Sequence, residues 1–194
     1  MLSPEQRQTL LRIARESIDA VLHGKRVDID TAALDDTLKR PAGAFVTLST
    51  RGDGDLRGCI GSIMPVAPLV QSVSENAINA AFRDPRFEPL SAEEWPGIEL
   101  EISVMGPIET VENVEDILPG RDGLIIRRGH AAGLLLPQVA TEYGWDRETF
   151  LAQTCRKAGL PSDAWRQPGT KIEKFAAEVF GEADSVVALP GKRE

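Results

Sequence analysis

The chain has 194 residues, 42% hydrophobic and 27% charged, with a net charge of −8 from 30 acidic and 22 basic side chains. That length and balance suit one folded domain spanning 1–194 and exclude wholesale disorder. The acidic excess repels phosphate backbones and anionic lipid, so neither nucleic acid nor a membrane surface is an expected partner.

In chain order, the first predicted element is a helix. Ser3 caps it, Pro4 suits its first position, and Gln6 completes a capping box. Leu10, Leu11, Ala14, Ile18, Val21 and Leu22 recur at helical spacing until Gly24 stops the run. From Ala44 the period changes to strand formers, and Arg51-Gly52-Asp53-Gly54 supplies a turn before a returning strand from Leu56 to Ile63. A second helix runs from Ala67 to Phe82, with Leu69, Val73, Ala77, Ile78 and Ala81 in one stripe, and Asp84-Pro85 ends it. Ser91 to Glu94 forms another capping box over a short helical turn.

Residues 98–104 alternate as a half-buried antiparallel strand, and the apolar runs 124–126 and 134–136 read as buried strands around a Gly129–Gly133 turn. Asp146 caps a helix over 147–158, closed by Gly159. Lys171 to Phe180 fits both helical spacing and alternation. The expected class is therefore α+β, a largely antiparallel sheet flanked by helices.

No apolar run approaches the ~20 residues that span a bilayer, and the charged first helix is unlike a signal peptide. With only Cys59 and Cys155, a disulfide framework is not expected, and free thiols in a cytoplasmic setting fit better.

The candidate site is Leu56-Arg57-Gly58-Cys59-Ile60-Gly61. Strand alternation places Arg57, Cys59 and Gly61 on one face, with Leu56, Gly58 and Ile60 on the other. Arg57 and Cys59 as catalytic residues then make chemical sense, because a guanidinium beside a thiol favours the nucleophilic thiolate. Gly61 would open the backbone to a ligand. The competing reading is a small buried hydrophobe between packing glycines.

Other polar positions carry two readings each. Asp84 with Arg86 either grips an anion or closes a helix stop on its own ion pair. Asn76 binds a ligand or a buried backbone group, and Gln138 marks a strand-end site or a turn. His23 is a solvated helix end. His130 lies in a basic turn and becomes a base only if the fold brings it to Cys59. No zinc or phosphate-loop spacing occurs, so neither a metal nor a cofactor is expected. Cys155 reads as core packing.

Taken in order, Phe45 to Leu48, the cysteine hexapeptide, Asn76-Ala77, Asp84 to Phe87, 99–104, 120–124, 135–140, Trp145, Phe150-Leu151, Cys155 and Lys157 to Leu160 resemble the AMMECR domain family, the AmmeMemoRadiSam system protein A-like proteins. The resemblance implies a compact two-lobed domain with an interlobe cleft, lined by the hexapeptide (Gly58 and Gly61 included), Arg86 and Asn76. It favours a strand over 171–180. It also implies a pathway shared with Memo-like and radical S-adenosylmethionine proteins. It names a family and leaves the reaction open: a thiol enzyme acting on a small anionic molecule, or a non-catalytic ligand-binding or scaffold protein of the same pathway.

Overall fold

A computed structural model describes residues 1–186, so the last eight positions of the 1–194 domain lie outside the described residues. The chain divides into two compact units. One holds residues 1–104 and the segment from Glu178; the other holds Met105–Ala177.

In the first unit, α1 spans Pro4–Leu22. The Ser3 hydroxyl accepts from the Gln6 N–H while the Gln6 side chain accepts from the Ser3 N–H, closing the expected capping box. A short α2, Asp36–Lys39, was not foreseen; Asp35 caps it and Leu38 anchors it in the core. Strand β1 is Ala44–Thr50 and β2 is Leu56–Ser62, paired antiparallel as a hairpin. Gly52 and Gly54 take φ of 95° and 72° in its turn, a region that other residues rarely enter. Helix α3, Leu69–Phe82, follows, and β3, Ile98–Met105, returns along the other side of β1. Alternation sorts the strands as expected. Val46, Leu48, Leu100 and Ile102 are buried with α1 and α3 residues such as Leu10, Ile18, Val73 and Ala77, leaving Thr47 and Glu101 on the opposite face.

The second unit holds β4 (Glu109–Thr110), β5 (Asp122–Arg128), β6 (Ala131–Leu135), α4 (Pro137–Glu142), α5 (Arg147–Lys157) and most of β7 (Lys171–Gly181). β5 pairs with both β6 and β7, and β4 with β7, all antiparallel. Its core joins Leu124, Ile126, Phe150, Leu151 and Ile172, with Cys155 fully buried among them. Strand β7 settles the ambiguous segment. Its last residues, including the buried Phe180, belong to the first unit, and α6 (Glu182–Val186) follows. The fold is α+β with antiparallel ladders. No described helix is long and apolar enough to cross a membrane.

Candidate functional site

Cys59 lies in the middle of β2, an end strand in the sheet order. Its N–H donates to Asp84 Oδ2 at 2.9 Å, and its C=O accepts from Arg86 Nη2 at 3.3 Å. Both backbone groups therefore point away from β1, which makes Cys59 and Thr47 a non-hydrogen-bonded cross-strand pair. In such pairs the Cα atoms approach to about 4.5 Å and the side chains meet. They meet here: Thr47 Oγ1 donates to Cys59 Sγ at 3.2 Å. Cys59 as a residue is half-buried.

On its other side Thr47 pairs with Glu101 of β3. Cys59, Thr47 and Glu101 thus form one row across three strands, on the face opposite the packed helices. Glu101 stays open to solvent by area, yet surrounding protein displaces enough water to push its carboxyl above the ordinary value, with the Asp184 charge adding to the effect.

The Arg57 expectation is corrected. Leu48 pairs with Gly58 but Ser49 pairs with Leu56, so Arg57 faces no residue of β1. This bulge breaks the alternation and re-aims the side chain. The guanidinium turns to Glu94, with Nε to Oε1 at 3.0 Å and Nη2 to Oε2 at 3.2 Å, and Nη2 also donates to the Glu88 carbonyl. Glu94 closes the Ser91 capping box as well, and its carboxyl is held low, chiefly by Arg57. Leu56, on the other side of the bulge from Gly58, is exposed.

The two glycines serve packing. A Cβ on Gly58 would lie 2.2 Å from the Ala80 carbonyl oxygen, so α3 rests directly on β2 at this point. A Cβ on Gly61 would lie 2.3 Å from the Phe45 ring, so an aromatic side chain fills the space expected for a ligand.

Asp84 and Arg86 combine both of their readings. Asp84 is buried and accepts from Arg86 Nε, Arg86 Nη2, the Arg86 N–H and the Cys59 N–H. Those bonds, Arg86 first, hold its carboxyl far below the usual carboxylate range against the cost of burial. Arg86 in turn holds its proton more firmly, mainly through Asp84, with the Cys59 sulfur a minor contributor. Its side chain remains 53% exposed, and Nη1 bonds no described residue. The turn is an ion-paired helix stop that presents one cation edge beside Cys59.

Asn76 takes the structural role, donating to the Ala44 carbonyl at 3.1 Å. Gln138 belongs to the second unit, half-buried in the first turn of α4. His23 caps the end of α1 and His130 is exposed in the β5–β6 turn. Sequence reasoning missed Thr47 and Glu101. Hairpin alternation could have singled out Thr47; Glu101 required knowing that β3 lies beside β1.

Comparison with known proteins agrees with this fold. A family model described as AMMECR1 matches residues 11–180. Protein MJ0810 of Methanocaldococcus jannaschii is 44% identical over 190 residues, covering 95% of this chain and 94% of that one. A protein of Methanothermobacter thermautotrophicus is 47% identical over 187 residues, covering 93% and 96%. The crystal structure of PH0010 from Pyrococcus horikoshii superposes with a TM-score of 0.84 at 42% identity over 93% of both chains. The chain belongs to the AMMECR1 family.

Proposed function

We propose that this protein is an enzyme acting on a small anionic molecule, with Cys59 as nucleophile or thiol acid/base and Arg86 as the anion-binding group. The observation that carries the reading is the 3.2 Å contact from the Thr47 hydroxyl to Cys59 Sγ. A donated hydrogen bond of that polarity suits a sulfur that carries negative charge during reaction. Arg86 adds a cation held in place by Asp84 with one edge open to solvent. The protein acts, on this proposal, in the cytoplasm and in one pathway with a Memo-like and a radical S-adenosylmethionine protein.

A second reading, a non-catalytic ligand-binding or scaffold protein of that pathway, has its own support. Arg57 Nε, the Asp84 carboxylate and the Asn76 amide nitrogen each bond an internal partner. Metabolite profiling of a deletion strain complemented by wild type or Cys59→Ala separates the two. The enzyme reading requires a metabolite that accumulates in the deletion strain and stays high with Cys59→Ala. Full restoration by the alanine variant would leave the sulfur a structural role.

A further inference from the structure

The thiol has no histidine assigned to it as a base, and the sheet register supplies another candidate. We propose that Glu101 is the acid–base residue that works with Cys59, on opposite sides of Thr47. This rests on the thiol-enzyme reading and deepens it.

The argument is geometric. Cys59–Thr47 is the close type of antiparallel pair, as the outward-pointing Cys59 backbone groups require. Alternation along β1 then makes Thr47–Glu101 the wide, hydrogen-bonded type. Adding the two spacings puts the Cys59 and Glu101 Cα atoms about 10 Å apart on one face. With Thr47 between the two side chains, a proton passes between them through a bridging water or substrate atom. Gly61 leaves no room beside Cys59, because Phe45 fills its face.

Chemistry follows from the placement. In the attack step the sulfur electron pair bonds to an electrophilic carbon of the substrate, and the thiol proton passes to the Glu101 carboxylate. In the release step Glu101 returns that proton to the departing group as its bond to carbon breaks; a water then attacks the same carbon, giving a proton to Glu101, and the S–C bond breaks as the sulfur takes that proton back. No oxidant or reductant enters. A carboxyl whose proton affinity is raised is better matched to this exchange near neutral pH than an ordinary one. The charged groups around the row are Asp84 and Arg86 beside Cys59, Arg57 paired with Glu94, and on the far side Asp184 and the Arg51–Glu99 pair.

Alkylation of Cys59 by iodoacetamide, followed by peptide mapping, tests the juxtaposition without a known substrate. Removing an anion across Thr47 from the sulfur makes its ionised form easier to reach. Glu101→Gln is therefore expected to speed alkylation at pH 7 about two- to fivefold, while Glu99→Gln, one row along, has a smaller effect. An unchanged rate in Glu101→Gln overturns the inference. Complementation adds the functional arm. Failure of both Cys59→Ala and folded Glu101→Gln supports the pair. If Cys59→Ala fails and Glu101→Gln complements, the Glu101 role falls while the thiol reading stands. If Cys59→Ala itself complements, the thiol reading falls first.

Discussion

The Asp84 carboxylate accepts the Cys59 backbone N–H at 2.9 Å while its other bonds hold Arg86. One buried acid therefore fixes both the strand that carries the thiol and the cation beside it. Asp84→Asn keeps the shape but loses the charge-assisted bonds, and is expected to cost about 2–3 kcal/mol in urea unfolding. Because the folded carboxyl is held low, the stability it contributes is fully present above the ordinary carboxylate value. It is lost as pH falls from about 4 toward the lower folded value. The stability difference between wild type and Asp84→Asn should therefore shrink on acidification.

Glu101 has the opposite sign. Its raised folded value means the wild type loses stability as pH rises through that value, relative to a neutral side chain. Glu101→Gln is expected to melt about 1–2 °C higher than wild type at pH 7, and to match it below about pH 4, where both side chains are uncharged. A lower melting temperature at pH 7 would show that the carboxylate stabilises the fold.

Thr47→Val removes the hydroxyl that donates to Cys59 Sγ while keeping a good strand former. Alkylation of Cys59 at pH 7 should slow about three- to tenfold, the equivalent of one ordinary hydrogen bond. Arg57→Met should change that rate by less than about twofold, since its guanidinium faces Glu94. The reverse order of effects would restore the arginine as the group that tunes the sulfur.

Gly58→Ala drives a methyl group into the Ala80 carbonyl and must lift α3 from β2. A cost of about 1–3 kcal/mol in denaturant unfolding is expected. Gly97→Ala is the control: nothing lies within 4 Å of its added Cβ and its φ is not positive, so it should be close to neutral.

Local chemistry made much of this fold legible. The Ser3 and Ser91 capping boxes, the hairpin turn and the stripes of α1 and α3 are written in nearby residues and formed as read, except that Val21 at the end of the α1 stripe is exposed. What failed involved neighbours distant in sequence. The Arg57 bulge depends on how β1 and β2 pair. The role of Gly61 depends on Phe45 across the strand, and the place of Glu101 on β3 lying beside β1. The 171–180 segment was ambiguous because its buried residues serve two different units: Phe175 covers Gly123 in one, and Phe180 enters the core of the other.

A strand at the end of a sheet normally leaves N–H and C=O groups free to recruit another chain. At Cys59 both groups are already taken, one by Asp84 and one by Arg86. The same turn that positions the thiol thus closes the outer margin of β2 at this residue against edge-to-edge polymerisation. Loosening it should expose the molecule to self-association as well as displace the sulfur.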